Sequence, residues 1–78
     1  MPTVFRLRGF RFFFFSLDRA EPIHIHVEKG DAYAKFWLRP VALARSRGFA
    51  QHEITEIRRI VETKRLLIER AWNDHFAK

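Results

Sequence analysis

The chain has 78 residues, no cysteine and a formal net charge of +6, with 47% hydrophobic and 15% aromatic residues. That length holds one core and no second domain, so residues 1–78 are read as a single domain, and the apolar content excludes a disordered chain. Without cysteine there is neither a disulfide framework nor a thiolate metal site, which leaves packing or self-association as the stabiliser and makes a homodimer an expectation.

The opening Met1-Pro-Thr-Val-Phe-Arg-Leu-Arg-Gly-Phe has no charged-then-apolar leader. The longest apolar run, Phe12 to Phe15, is far too short to span a bilayer, so no membrane role is expected and the protein is read as cytoplasmic. Charge is uneven. Residues 1–47 hold nine Lys/Arg against four Asp/Glu, and residues 48–78 hold six against five. The basic half precedes the helical half, and such a surplus attracts RNA, DNA or an acidic protein.

From Gly9 to Ser16 aromatic residues fall on both parities, the pattern of a strand covered on both faces. Leu17-Asp-Arg-Ala-Glu-Pro22 is a loop, and pairing is expected to begin after Pro22, which has no N–H to give a ladder. Ile23-His-Ile-His-Val-Glu28 and Ala32-Tyr-Ala-Lys-Phe-Trp-Leu38 both alternate around a glycine and read as a β-hairpin. If Ile23, Ile25 and Val27 face the core with Ala32, Ala34, Phe36 and Leu38, paired residue numbers must sum to an odd value. The opposite face then gathers His24, His26 and Glu28 beside Tyr33, Lys35 and Trp37.

Val41-Ala-Leu-Ala-Arg45 is either an edge strand or a lead-in to a helix. Beyond about Gln51, apolar residues at Ile54, Ile57, Val61, Ile68, Trp72 and Phe76 form one helical stripe that should lie on the sheet. A single 26-residue helix would run about 39 Å, long for a body with a radius of gyration of about 11–12 Å. Either it overhangs onto a second subunit or it breaks near Thr63, where Lys64 interrupts the stripe. The expected fold is therefore α+β: an antiparallel sheet of three to four strands (ββββα or βββα) over about residues 4–45, with a long or broken helix over about residues 50–76 packed on one face.

The one constellation suggestive of chemistry is His24-x-His26, two imidazoles leaving the same face of a strand with Cα atoms about 6.5–7 Å apart. That spacing suits a shared metal ion or an acid–base pair. Glu28 extends the row, but three strand residues in line span roughly 13–14 Å, too far for all to reach one zinc ion at about 2.0–2.2 Å. A third ligand would come from Asp18, Glu21, His52 or His75. The bland reading makes both histidines half-exposed strand residues packed on Trp37 or Tyr33. A metal is not expected; if one binds, His24 and His26 hold it.

No glycine-rich phosphate loop or nucleophile elbow is present, so no cofactor is expected, and covalent catalysis and nucleotide hydrolysis are disfavoured. The chemistry these residues best support is metal-free phosphodiester cleavage. One histidine would deprotonate a ribose 2′-hydroxyl, a second acid would protonate the leaving oxygen, and Lys35 or an arginine would steady the phosphate. Lys35, Trp37, Tyr33 and Arg11 form the accompanying binding set, since interleaved aromatic and basic groups stack on bases and hold phosphates. The same groups make good protein-interface anchors.

The stretches Met1-Pro-Thr-Val-Phe-Arg, Gly9-Phe-Arg-Phe-Phe-Phe, Glu21-Pro-Ile-His-Ile-His-Val-Glu28, Ala34-Lys-Phe-Trp-Leu38 and Ala71-Trp-Asn-Asp-His-Phe76 together resemble a family of small bacterial proteins. That family is catalogued as a domain of unknown function with a Pro-Pro-His-x-His-Val core. Its histidines fall on His24 and His26, Ile23 replaces the second proline, and Ala50 stands where relatives often have a serine three residues before a glutamate, so Glu53 loses a capping-box partner. The resemblance implies a toxin–antitoxin-like gene pair, hence a small cognate protein as partner and RNA as a target. The resulting reading is a toxin-like, partner-binding component of a two-gene module acting on or near RNA through the His24/His26 face. A non-catalytic dimer or partner interface and a histidine-based metal domain are the alternatives, and whether the chain is an enzyme is left open by its residues.

Overall fold

The computed structural model describes residues 3–15 and 20–76. In chain order these form β1 (Thr3–Leu7), β2 (Phe10–Phe13), β3 (His24–Lys29), β4 (Ala32–Leu38), β5 (Val41–Arg47), α1 (Gln51–Thr63) and α2 (Arg65–Phe76). The strands make one antiparallel meander in the order β1-β2-β3-β4-β5. The α+β architecture is the expected one, with one strand more than the three to four anticipated: Thr3–Leu7 pairs with β2, and the ambiguous segment after Pro40 is an edge strand.

Turn chemistry sets the registers. Leu7 pairs with Phe10 around Arg8-Gly9, both at positive φ (55° and 86°), as a type I′ hairpin turn requires. Lys29 pairs with Ala32 around Gly30-Asp31, with Gly30 at φ 59°. This two-residue loop delivers the odd-sum register, for example His24 opposite Trp37 and Ile25 opposite Phe36. Both edge strands carry irregularities, at Thr3/Phe5 in β1 and opposite Lys35/Phe36 in β5, and both bear arginines. Bulges and charge on an edge discourage pairing with another chain.

One sheet face is apolar. Phe10, Phe12, Ile25, Val27, Ala34, Phe36 and Leu38 are buried against Ile54, Ile57, Ile60, Val61 and Ile68 of the helices, joined by Phe14 just past β2. Each fully buried Phe, Ile or Val contributes about 1.5–3 kcal/mol through removal from water. The helical stripe packs as its spacing predicts and also buries Ile60. β2 is an interior strand covered on both faces, as its two-parity aromatic run implies, because Phe13 on the other face is also buried.

The helical region divides at Lys64, yet hydrogen bonds run through the division: Lys64 N–H donates to Ile60 O (2.8 Å) and Ile68 N–H to Lys64 O (2.9 Å). The helices run on either side of this division along a body of 37 × 22 × 20 Å with a radius of gyration of 11.6 Å. After it, α2 reaches the sheet end where β2 stops and β3 begins, placing Trp72 against both Phe14 and His24 (ring centroids 5.3 Å in each case). Among the described residues no helix is long and apolar enough to cross a membrane.

Candidate nucleic-acid interface

Alternation in β3 puts His24 and His26 on the face turned away from α1, where cross-strand pairing supplies their neighbours. His24 lies opposite Trp37; His26 lies between Phe13 and Lys35; Glu28 lies between Arg11 and Tyr33. All six positions named from the sequence, His24, His26, Lys35, Trp37, Tyr33 and Arg11, thus share one face.

Their burial differs from the half-exposed state considered above. His24 is 0% and His26 4% exposed. The His26 ring is packed by Phe13 (5.4 Å), Phe15 (4.4 Å) and Tyr33 (5.8 Å), and the two imidazoles meet edge to face at 4.9 Å. His24 also touches Trp37 at 5.5 Å. Buried imidazoles call for partners at their polar atoms, and each ring finds one through Nδ1. His24 Nδ1–H donates to the Pro22 carbonyl at 2.7 Å, since a carbonyl oxygen only accepts. This fixes a hydrogen on Nδ1 and leaves the buried Nε2 3.8 Å from the Glu21 carboxylate, beyond hydrogen-bond range. His26 Nδ1 and the Tyr33 hydroxyl share a 2.7 Å hydrogen bond.

Above this layer the cations are organised around rings. Lys35 Nζ stands 4.6 Å from the Trp37 ring centre and pairs with Glu21 at 2.6 Å. Arg11 lies over Phe13 at 4.4 Å and pairs with Glu28 at 2.8 Å. Arg45 and Arg47 flank Tyr33, their guanidinium carbons 5.7 and 5.8 Å from its ring centre. A cation within about 6 Å of an aromatic centre is attracted to the ring face. Both β5 arginines are exposed. On this face Arg6, Arg11, Lys35, Arg45 and Arg47 are set against Glu21 and Glu28, so its surface is basic.

Among the described residues considered as third ligands for the histidine pair, Glu21 alone is near. His52 lines a groove beside the β1–β2 turn, and His75 stacks on Phe14 at 6.1 Å. Glu28 is held by Arg11, and Asp18 lies outside the described residues. Among the described residues no group of three or more His, Cys, Asp or Glu is placed to hold a metal ion.

Arg45, Arg47, Phe13 and Phe15 are the members of the surface that the sequence reading missed. For the arginines the reason is a bulge. Counting from the Leu38–Val41 pair, Arg45 would oppose Ala34 and face the helices. The irregularity at Lys35/Phe36 shifts the register by one, so Arg45 opposes Lys35 and Arg47 opposes Tyr33. The only available signal was that two arginines would otherwise lie on an apolar face.

Neither the curated proteins nor the solved structures give a match to this chain. A family model does match, over residues 9–73, a span that contains the histidine pair, both edge-facing arginines and most of the helices. The chain belongs to that family, described as a domain of unknown function, DUF4160.

Proposed function

We propose that the protein binds single-stranded RNA across the sheet face turned away from α1. The observation that carries the reading is the placement of Arg45 and Arg47, both within 5.8 Å of the Tyr33 ring centre, with Trp37 beneath Lys35. Single-stranded RNA is held where aromatic rings stack on unpaired bases and nearby cations meet the backbone phosphates, and stacking contributes about 1–3 kcal/mol per base. In this reading His24 and His26 work from below. The His26–Tyr33 hydrogen bond sets the angle of the phenol ring, and His24 supports Trp37 from the side. The two-gene setting implied by the family resemblance adds a small cognate protein as the partner that would regulate such binding.

The test is fluorescence anisotropy of a labelled single-stranded RNA of about a dozen nucleotides, long enough for several stacked and ion-paired positions. Tyr33→Ala and the Arg45→Ala/Arg47→Ala pair should each weaken binding at least about tenfold, the equivalent of about 1.4 kcal/mol. Arg59→Ala/Arg70→Ala, on the helices, should leave it unchanged. Equal affinity in all variants refutes the reading. The bound strand is expected to stay intact; scission that is lost in His26→Ala would move the histidines from support to chemistry.

A further inference from the structure

The helices carry a second stripe, beside the one that packs on the sheet. His52, Glu56, Arg59 and Thr63 on α1 continue at helical spacing into Leu67, Arg70 and Asp74 on α2. This stripe faces edge strand β1 across two grooves. One, of about 750 Å³, is closed at its sheet side by Leu7 and Arg8 at the end of β1. The other, of about 330 Å³, is closed by Thr3 and Val4 at its start. Together they border β1, whose five residues span about 17 Å.

We infer that these grooves are the seat of an acidic amphipathic helix contributed by a partner protein. Three observations select that occupant, and none depends on the sheet face. The floor has uncovered apolar surface: Leu67, which lines the second groove, is 47% exposed. The walls carry a small basic surplus. Arg8 and Glu56 pair with each other at 2.8 Å, which leaves Arg59 and Arg70, without an ion pair among the described residues, against the single carboxylate of Asp74. Charge complementarity therefore selects an acidic partner, and it disfavours a second copy of a chain carrying +6. Third, the bulge between Thr3 and Phe5 interrupts the regular edge that an added strand would need, so a helix laid over side chains fits better than an extended segment.

The probe is a synthetic amphipathic peptide of leucine and glutamate at helical spacing, titrated into the full chain by calorimetry, with a leucine–lysine peptide of the same pattern as its counterpart. The glutamate peptide should bind and the lysine peptide should not. Arg59→Glu/Arg70→Glu and Leu67→Ser should each weaken binding at least tenfold, while Tyr33→Ala on the opposite face leaves it unchanged. These positions are exposed, so the variants should melt as the parent does. Absence of binding, equal binding of the lysine peptide, or affinity indifferent to the groove variants overturns the inference. So does self-association of the parent that Leu67→Ser abolishes, because a second copy would then fill the grooves.

Discussion

Replacing Ala50 with serine should stabilise the protein, and the local geometry sets the size of the gain. Ala50 is the N-cap of α1, with extended backbone angles (φ −74°, ψ 161°). It supports half of a capping box: its N–H donates to the Glu53 carboxylate at 2.9 Å, but its methyl group returns nothing to the first turn. A serine hydroxyl in the same conformation would accept from the N–H of His52 or Glu53. Glu53 N–H already lies 3.0 Å from Ala50 O, so the new acceptor shares a partly satisfied donor. The expected gain is about 0.5–1 kcal/mol, the lower half of the capping range. For a domain of this size that raises Tm by about 2–8 °C. Paired thermal melts of Ala50→Ser and Ala50→Val measure it, since valine suits extended backbone but offers no acceptor. Equal Tm values for the two variants would refute the capping argument.

Arg8 occupies left-handed backbone that asparagine adopts more readily, and its ion pair with Glu56 is largely exposed. Relief of about 1 kcal/mol of backbone strain should exceed the loss of a surface pair that contributes about 0–1 kcal/mol. Arg8→Asn should therefore melt slightly above the parent and Arg8→Val well below it; an Arg8→Asn variant less stable than the parent contradicts this. Arg39 donates to both Glu69 oxygens (3.2 and 3.3 Å), and that hydrogen bonding holds the Glu69 carboxyl below its usual value of 4.5. A depressed folded-state value stabilises above the ordinary carboxylate range and is lost as pH falls through the folded value. The parent and Arg39→Ala should thus differ most near neutral pH and converge in acid; a gap that widens toward about pH 3 opposes the assignment.

Much of the face was legible because period-two alternation leaves little freedom. Once Ile25 and Val27 are assigned to the core, His24 and His26 must leave the other side with Tyr33, Lys35 and Trp37. Burial of the imidazoles was not legible. It depends on Phe13 of β2, on Phe15 just past that strand and on Trp72 of α2, which approach through tertiary packing rather than local spacing. Arg45 and Arg47 were hidden for a different reason, since one bulged residue reverses the facing of everything beyond it. Lys64 at an apolar position of the stripe marked where a helix break would fall, but the choice between a break and one overhanging helix was not legible in the sequence. The grooves along β1 depend on where the helical stripe from His52 to Asp74 lies and on where the edge strand comes to lie beside it. Neither follows from a pattern within a single element.

The most direct test of the RNA-binding reading is the salt dependence of affinity. For single strands, each phosphate contact contributes a slope of about −0.7 in log K against log salt, so removing two contacts should flatten the line by about 1.4. The account predicts that flattening for Arg45→Ala/Arg47→Ala, with Arg59→Ala/Arg70→Ala parallel to the parent. Flattening confined to the helix variant, with the β5 variant parallel to the parent, would contradict it.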